Sequence, residues 1–471
     1  MSHGPPAYRT HADPLVRARS RRGGVDGDRH ARLRCVTDAH KDDHADHWAA
    51  PVAAAALDAR VRVPGSKSIT NRAYVLAALA GAPTRVRVPL DSRDTRLMLG
   101  ALASLGARSE ETADGFLVHP LGAGGSSHGE PVEVTLGNAG TVARFTPALA
   151  ALGDSPVLFD GDEAIRRRPI GPLLAALRRL GVRIDDDGRG APPFTVHGDG
   201  GVRGGTVDLD SSASSQFLSA LLLAGPSFDR GVTVRLVGDA PPSEPHIAMT
   251  LDMLHRFGAT VEREGAEFHV APAKLSCPEY VVEPDLSTAA PFVAAAVAAG
   301  GTVRVAGWPS TTTQPGDWLR SFLPALGASV RLEDGGLAVT GGSHIPGVEL
   351  DLHEVGELTP VVAALLCFAD GPSVISGVAH LRGHETDRIT ALATELSALG
   401  GDVSETDDGL RITPAPLHGG VFHTYDDHRL VMAAAVLGLR VPGIRVENPA
   451  TVGKTFPAFV ETWTGMLGSS Q

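Results

Sequence analysis

The chain of 471 residues is too long for a single hydrophobic core, so we expect at least two domains. Its formal net charge of −12 argues against nucleic acid as a main partner, because a phosphate backbone requires a broad basic face. No apolar stretch is long enough to predict a membrane span. The scattered Cys35, Cys277 and Cys367 indicate a reducing compartment, the cytoplasm, and neither a disulfide framework nor a zinc site.

Residues 1 to 47 differ in composition from the rest of the chain. They mix Arg, Asp, His, Gly and Pro without an apolar period, which predicts a disordered N-terminal tail with no hydrophobic core of a secretory signal. His40, His44 and His47 have helical spacing, but no second ligand cluster supports a metal site, so a solvated tail is favoured. We expect ordered structure to begin near Trp48.

The stretch PGSKSITNRA, residues 64 to 73, crowds polar side chains into the start of a predicted helix. In one interpretation Ser66 or Ser68 caps the helix and the charges are solvated. In the other, Lys67, Ser68 and Arg72 join the helix N-terminus in binding an anion. Taken alone, the stretch favours the first interpretation.

A unit of two helices and several strands recurs six times, about every 70 residues, which indicates an array of supersecondary units. In five units an amphipathic helix ends in Leu-Gly or Phe-Gly before a short strand: SLGARSE, RLGVRID, RFGATVE, ALGASVR and ALGGDVS. An alanine-rich helix precedes each, and its lack of a polar face predicts burial. Three units per domain would give an α/β protein with two similar halves and a cleft between them.

Polar residues occupy the starts of the alanine-rich helices: Lys67, Arg72, Asn138, Thr141, Arg144, Ser214, Ser215, Gln216, Glu357, Asp427, His428 and Arg429. Loops add Arg168, Arg388 and Lys454. A lone arginine is usually a surface charge, but recurrence at one place in the repeat predicts a cleft that binds anions. No GxxxxGK[ST] occurs, so a Walker A nucleotide site is not indicated.

The motifs GSKSITNR, GNAGTVARF, SSASSQF, RGHETDR, YDDHR and KTFP occur in that order and together resemble the 5-enolpyruvylshikimate-3-phosphate (EPSP) synthase family. The resemblance spans Trp48 to the C-terminus. It implies two domains of three units each, a six-fold pseudo-repeat of the inside-out α/β barrel type, with the active site in the interdomain cleft. It also implies a discontinuous arrangement, in which residues 66–284 form the N-terminal domain and residues 48–65 plus 285–471 form the C-terminal domain.

The reaction that this resemblance implies transfers the enolpyruvyl group of phosphoenolpyruvate to the 5-hydroxyl of shikimate 3-phosphate and releases phosphate. Both substrates are anions, and neither a metal nor an organic cofactor is implied. Proton transfer suits carboxylates with a nearby lysine. By resemblance, Glu385 and Lys67 handle protons at the enolpyruvyl carbon, and Glu357 lies against the attacking hydroxyl. We expect a monomer.

The resemblance also implies two sets of binding residues. The set for shikimate 3-phosphate is Lys67, Ser68, Arg72, Ser214, Ser215, Gln216, Ser243, Glu357 and His384. The set for phosphoenolpyruvate is Lys67, Gly140, Arg168, Gln216, Arg388, Arg429 and Lys454.

Four positions depart from the better-known members of the family. Glu357 replaces a common aspartate, His384 a lysine, His380 an asparagine and Phe145 a proline. None of these changes removes a charge type that the reaction requires outright. We expect bound anions to raise the pKa of His384 and favour the imidazolium, although burial alone would lower it.

Two other functions are considered. A UDP-N-acetylglucosamine enolpyruvyl transferase would have Lys-Asn in place of Lys67-Ser68, and a reactive cysteine in a mobile loop that none of the three cysteines matches. A non-catalytic anion-binding protein of the same fold would not need Glu357 and Glu385 beside its basic residues.

Overall fold

The computed structural model describes residues 47–122 and 131–468. The predicted tail lies outside the described residues, as do His40 and His44; the exception is His47, which begins the first strand. Among the described helices, none is long and apolar enough to cross a membrane. The described part of the chain begins with two strands, β1 (His47–Ala49) and β2 (Leu57–Val61).

The first three repeats follow β2 and end at the strand β14. Their helices are α1 (Lys67–Leu79), α2 (Arg93–Ser104), α3 (Gly140–Ala150), α4 (Glu163–Arg166), α5 (Gly171–Arg179), α6 (Ser215–Ala224) and α7 (Glu244–Arg256). Their strands are β3 (Thr84–Arg87), β4 (Arg108–Thr112), β5 (Gly115–His119), β6 (Val132–Thr135), β7 (Pro156–Asp160), β8 (Arg183–Asp185), β9 (Phe194–His197), β10 (Gly205–Asp210), β11 (Val232–Val237), β12 (Val261–Glu264), β13 (Glu267–Val270) and β14 (Glu279–Val281).

The last three repeats occupy the rest of the chain. Their helices are α8 (Leu286–Ala299), α9 (Trp318–Phe322), α10 (Thr359–Leu366), α11 (Arg388–Ala398), α12 (His428–Gly438) and α13 (Phe459–Gly468). Their strands are β15 (Gly301–Ala306), β16 (Ser329–Glu333), β17 (Gly336–Thr340), β18 (Glu349–Asp351), β19 (Ser373–Ser376), β20 (Asp402–Glu405), β21 (Leu410–Thr413), β22 (Gly420–Phe422) and β23 (Ile444–Glu447). Short 3-10 helices lie at Gly225–Ser227, Pro315–Asp317, Leu323–Leu326, His353–Leu358, Ala379–Gly383 and Pro449–Lys454.

Each repeat builds one small sheet in the described part of the chain. The sheet orders are β14-β3-β5-β4, β6-β7-β9-β8, β10-β11-β13-β12, β16-β17-β15-β2, β18-β19-β21-β20 and β1-β23-β22. In the four-stranded sheets a parallel pair is followed by an antiparallel hairpin, as in β10–β11 and β12–β13. A buried helix connects the two strands of four of the parallel pairs, because parallel strands need a crossover connection: α3 in β6–β7, α6 in β10–β11, α10 in β18–β19 and α12 in β22–β23.

The predicted Leu-Gly and Phe-Gly helix ends are confirmed. The five glycines that follow those helices all have positive φ: Gly106, Gly181, Gly258, Gly327 and Gly400. Glycine adopts this left-handed conformation without a Cβ penalty, so it ends the helix and turns the chain into the next strand.

Two separate hydrophobic cores hold the repeats together. One is built from buried residues between positions 69 and 282, and the other from residues 50–61 together with residues between 286 and 466. The alanine-rich helices α1, α3 and α6 lie in the first core, and α8, α10 and α12 in the second. Small side chains let these helices pack closely, and the prediction that they are buried is confirmed.

The chain passes between the two cores at two adjacent segments. Strand β2 pairs with β15 of the second core, whereas β14 pairs with β3 of the first. Between these strands, Ser66 N donates to Glu283 O (2.8 Å) and Asp285 N donates to Pro64 O (2.8 Å). This crossing and the two cores support the predicted division into residues 66–284 and 48–65 plus 285–471, which we keep as a proposal.

Candidate active site

The first turns of α1 and α8 meet at one carboxylate, that of Asp285. Its Oδ1 accepts from the backbone N–H groups of Ser287 and Thr288 (both 3.0 Å), which caps α8. Its Oδ2 accepts from the backbone N–H of Lys67 (3.2 Å), the first residue of α1. Since α1 and α8 lie in different cores, Asp285 joins the two halves where the positive ends of their helices converge.

Lys67 lies at this junction and is surrounded by charged groups from both halves. Its Nζ is 3.5 Å from Oδ2 of the buried Asp94 on α2. Burial lowers the pKa of Lys67; Asp94 and Glu385 oppose this effect, and Lys454 and Arg429 add to it. A lysine with a lowered pKa releases its proton more readily than an exposed one, which suits proton transfer.

Glu385 is held between two cations of the second half. Its Oε2 accepts from Arg388 Nη2 (2.9 Å), and its Oε1 accepts from Lys454 Nζ (3.2 Å). Burial alone would raise the pKa of Glu385, but Lys454, Arg388 and Arg168 hold it well below its ordinary value. Glu385 is therefore an ionised carboxylate at neutral pH, which is the form that can accept a proton.

Arg388 is buried, and most of its N–H groups donate hydrogen bonds to other residues of the protein. Its Nε and Nη2 donate to the two carboxylate oxygens of Asp427 (2.7 and 3.1 Å), which also caps α12. Its Nη1 bonds His384 Nδ1 (3.1 Å). Arg388 therefore orients Glu385 and His384, and one N–H on Nη1 remains for the phosphoenolpyruvate contact that the resemblance predicts.

Two guanidinium groups converge on the N-terminus of α3. A Cβ at Gly140 would lie 2.7 Å from Arg144 Nη1 and 2.9 Å from Arg168 Nη2, so both arginines approach the backbone closely. Among the described residues, no hydrogen-bond partner reaches the buried Nε and Nη1 of Arg168 or the buried Nε of Arg144. Unpaired buried donors at a helix N-terminus are strong candidates for binding an anion.

Arg144 was recognised in the sequence as a charged helix start, but it was given no role in binding. Its Nη1 donates to Gln216 Oε1 (3.1 Å), which orients that predicted ligand. Burial lowers the pKa of Arg144 to about 9, with Arg168 adding to the effect, and an anion between the two would relieve their repulsion. The i, i+4 spacing from Gly140 could have indicated this residue, because it places both on one helix face.

Six of the predicted ligands for shikimate 3-phosphate lie at the first turns of α1, α6 and α7: Lys67, Ser68, Ser214, Ser215, Gln216 and Ser243. Ser214 Oγ caps α6 by accepting from Gln216 N (3.3 Å), and Ser215 is the first residue of that helix. Ser243 precedes α7 in a left-handed conformation (φ 60°) and makes no side-chain cap. Ser68 is linked to this group through Arg72, whose Nη1 donates to Ser68 O (3.1 Å).

Arg72 lies beneath these helices. It is 1% exposed, and its Nε and Nη2 donate to Thr250 Oγ1 (2.8 Å), Ser219 Oγ (3.3 Å) and His246 O (3.4 Å). Its guanidinium lies over the ring of Phe145 at 5.2 Å, a cation–π contact that a proline there could not provide. One N–H on Nη1 remains, so the predicted contact of Arg72 with shikimate 3-phosphate stays a prediction.

Glu357 lies at the end of the 3-10 helix His353–Leu358, facing the first half. Its Oε1 accepts from Ser287 Oγ (2.8 Å) and lies 3.9 Å from His246 Nε2. Burial would raise the pKa of Glu357, but His246, Arg429 and the Ser287 hydroxyl bring it below the ordinary value. Glu357 is therefore ionised at neutral pH.

The protein groups around His384 favour its neutral form, as expected for the effect of burial alone. Burial, followed by the neighbouring Arg388, lowers the pKa of His384 well below its usual value. Its Nδ1 accepts from Arg388, so this nitrogen carries no proton. His380 packs against it at 5.8 Å, and burial lowers the pKa of His380 to about 4. Within the protein His384 is thus a neutral acceptor, because the fixed cation beside it disfavours the imidazolium.

Sequence reasoning also missed Asp94 and His246. Neither lies at the start of an alanine-rich helix, where candidates were sought: Asp94 is in the first turn of α2 and His246 in that of α7. Both helices are amphipathic, and no site residue was sought on them. A polar residue near the start of such a helix gives no local signal that it turns inward.

Comparison with known proteins identifies the class first. The fold is that of the enolpyruvyl transferases: NikO from Streptomyces tendae superposes with a TM-score of 0.69 at 19% identity, covering 88% of this chain and 96% of its own. The EPSP synthase of Acinetobacter baumannii superposes with a TM-score of 0.73 at 25% identity, covering 89% of this chain and 97% of its own.

The family follows from the sequence comparisons. The family model of EPSP synthase (3-phosphoshikimate 1-carboxyvinyltransferase) matches residues 52–463. A 3-phosphoshikimate 1-carboxyvinyltransferase of Kocuria rhizophila is 52% identical over 435 residues, which cover 90% of this chain and 97% of that protein. The chain belongs to the EPSP synthase family. The resemblance noted in the motifs, the two-domain inside-out α/β fold and the prediction of a transferase are confirmed.

Proposed function

We propose that the cleft carries out the reaction of its family with the residues described above. The chain is an enzyme of the shikimate pathway, which leads to chorismate and the aromatic amino acids; it transfers the enolpyruvyl group of phosphoenolpyruvate to the 5-hydroxyl of shikimate 3-phosphate and releases phosphate. We further propose that it acts as a monomer in the cytoplasm. The observation that carries the assignment of roles is that Arg168 and Arg144 keep buried donors without a described hydrogen-bond partner and interact electrostatically with the ionised Glu385.

Phosphoenolpyruvate is assigned to the side of the cleft where Arg168 lies. Its anionic groups suit the buried unpaired donors of Arg168 and Arg144 beside Gly140. Arg429 adds a further buried unpaired donor, Nη1, from the second half. Lys67, Gln216, Arg388 and Lys454 complete the proposed set around Glu385.

Shikimate 3-phosphate is assigned to the first turns of α1, α6 and α7. Ser68, Ser214, Ser215, Gln216 and Ser243 offer hydroxyl and amide groups there, and helix N-termini favour its phosphate. His384 would contribute as a neutral donor through Nε2–H, because its Nδ1 accepts from Arg388, and Arg72 would contribute through its remaining N–H.

The proton transfers follow from the ionisation of the site residues. Glu357 is an ionised carboxylate that accepts the proton of the 5-hydroxyl as the hydroxyl oxygen attacks C2. Lys67 donates a proton to C3, which gives a methyl group in the tetrahedral intermediate. Glu385 then removes one methyl proton as the C–O bond to phosphate breaks, so the product carries the vinyl ether and phosphate leaves.

The two cysteines that the structure describes, Cys277 and Cys367, do not support the enolpyruvyl transferase of UDP-N-acetylglucosamine. Burial raises the pKa of Cys277, and it raises that of Cys367 to about 12. A reactive thiol needs a lowered pKa. Neither residue lies on the first turns of the central helices, where the proposed site is.

Phosphate release with purified protein tests this proposal. We expect turnover with phosphoenolpyruvate and shikimate 3-phosphate together, and none when UDP-N-acetylglucosamine replaces the latter. Arg168→Ala should raise KM for phosphoenolpyruvate at least tenfold, because a charge-assisted hydrogen bond contributes about 1.5–3 kcal/mol. Arg167→Ala is the matched control, since Arg167 is exposed and pairs with Glu163. Equal KM values for the two variants would contradict the assignment.

A further inference from the structure

The 3-10 helix His353–Leu358 of the second half docks on the first turn of α7 of the first half. Glu354 Oε2 accepts from the backbone N–H of Glu244 (2.6 Å), which is the first residue of α7. This carboxylate supplies the cap that Ser243 does not make. Three residues further along, Glu357 faces His246 of the same turn. Two contacts thus fix the two segments against each other across the cleft.

Both contacts to the Glu357 carboxylate reach the same oxygen. Ser287 Oγ donates to Oε1 (2.8 Å), and His246 Nε2 lies 3.9 Å from that atom. Among the described residues no hydrogen bond reaches Oε2. One oxygen is therefore turned towards protein groups from both halves, and the other is left to the substrate hydroxyl.

We propose that His246 is a positioning residue for Glu357: its Nε2–H holds Oε1 so that Oε2 accepts the proton of the attacking hydroxyl. This inference rests on the proposed role of Glu357 as the base. At 3.9 Å the contact is longer than a hydrogen bond, and catalytic contacts of this length tighten in the complex with substrate. Because His246 belongs to the first half and Glu357 to the second, the base is fully oriented only when the halves are together.

The surroundings of the pair keep His246 neutral and Glu357 charged. Burial lowers the pKa of His246. The carboxylates of Glu357 and Asp285 oppose this effect, whereas Arg72 and Arg429 add to it. Glu357 in turn faces Arg429, Arg388 and the imidazole of His380. A neutral imidazole is a donor at one nitrogen, so it stabilises the ionised carboxylate without removing a proton from the site.

Two variants of equal polarity and different length separate positioning from packing. His246→Gln places an amide N–H near the position of Nε2, whereas the shorter His246→Asn places it near Nδ1. We expect His246→Asn to lower kcat about tenfold, the effect of losing one hydrogen bond to a charged group. The acid limb of the kcat profile should move to higher pH, because Glu357 then loses a group that stabilises its ionised form. His246→Gln should recover most of kcat, and the acid limb of its kcat profile should lie at the wild-type pH.

The measurements are kcat and KM for both substrates across the acid limb, together with melting temperatures. His255→Asn is the matched control, because His255 is exposed at the far end of α7. Equal kcat values and equal acid limbs for His246→Asn and His246→Gln would overturn the inference. Glu357→Gln separates this failure from failure of the proposed base: wild-type kcat in Glu357→Gln would refute the role of Glu357 itself. A large loss there, with unchanged His246 variants, would refute only the positioning role.

Discussion

The carboxylate of Asp285 accepts a hydrogen bond from the backbone N–H of Lys67, 218 positions away in the sequence, and at the same time caps α8. One side chain thus satisfies the first turns of two buried helices that belong to different cores. The same contact fixes the start of the helix from which Lys67 reaches Asp94 and approaches Glu385. Both the stability of the protein and the geometry of the proposed active site therefore depend on Asp285.

Asp285→Ala should destabilise the protein by about 2 kcal/mol, because it removes the cap of α8 and leaves the N–H of Lys67 without its partner. Urea unfolding at neutral pH would measure the loss. Asp285→Asn keeps a side-chain oxygen for α8 and should recover about half of the lost stability. If the alanine and asparagine variants both unfold at the wild-type midpoint, the hydrogen bonds of Asp285 to the first turns of α1 and α8 contribute nothing to stability.

Gly140→Ala should raise KM for phosphoenolpyruvate about tenfold with little change in KM for shikimate 3-phosphate. The added Cβ would come within 3 Å of the Arg144 and Arg168 guanidinium groups, which must move and lose their alignment with the anion. Fold stability should change little, because the clashing atoms are the ends of flexible side chains. Steady-state kinetics of both substrates would measure the effect.

Gly171→Ala is the control for this substitution. Gly171 also begins a helix, but its Cβ would meet the nearest atom at 3.5 Å, an ordinary contact distance. Wild-type kinetics are expected. An equal rise in KM for both alanine variants would show that the arginines near Gly140 are not the cause.

Glu385 should make stability depend on pH in the acid range. Its pKa in the folded protein is held well below the unfolded value of about 4.3, so its contribution to stability is present above that value. The contribution is lost as the pH falls from about 4.3 towards the folded pKa. Glu385→Gln should lower stability at pH 7 by about 3 kcal/mol, because Lys454 loses its partner, and the loss should shrink at acid pH.

Urea midpoints of wild type and Glu385→Gln at neutral and acid pH would measure this difference. Comparing the two proteins cancels the contribution of the other carboxylates. A gap between the two midpoints that stays constant as the pH falls would contradict the ionised state assigned to Glu385.

His384 should give KM for phosphoenolpyruvate no pH dependence between about pH 6 and 8, because it is neutral throughout that range. This prediction takes the effects of burial and of Arg388 on the pKa of His384 to outweigh the effect of bound anions. His384→Gln keeps a neutral acceptor for Arg388 and should reproduce the wild-type profile of KM against pH. A wild-type KM that rises through neutral pH, and a flat profile in His384→Gln, would restore the imidazolium.

The repeat, the helix ends and the buried alanine-rich helices could be predicted because each is a local pattern of period, composition or glycine placement. The ordered motifs indicated the family and most of the gathered charges. The contacts of Asp285 with Lys67 and of His246 with Glu357 join segments more than 100 positions apart, so no local pattern shows them. Arg72 lies in a motif that the sequence analysis recognised. Its burial under α6 and α7 could still not be predicted, because it depends on packing between distant segments.

The central claim is that Lys67 and Glu385 add and remove protons at C3 of phosphoenolpyruvate while the enolpyruvyl group is transferred. Turnover in D2O, with the product analysed by proton NMR, tests it most directly. A proton delivered from an exchangeable lysine becomes a deuteron, and the methyl group of the intermediate then loses one of its three hydrogens to Glu385. The account predicts deuterium at the vinyl CH2 of the product. A product formed at the normal rate with no deuterium at that carbon would contradict it.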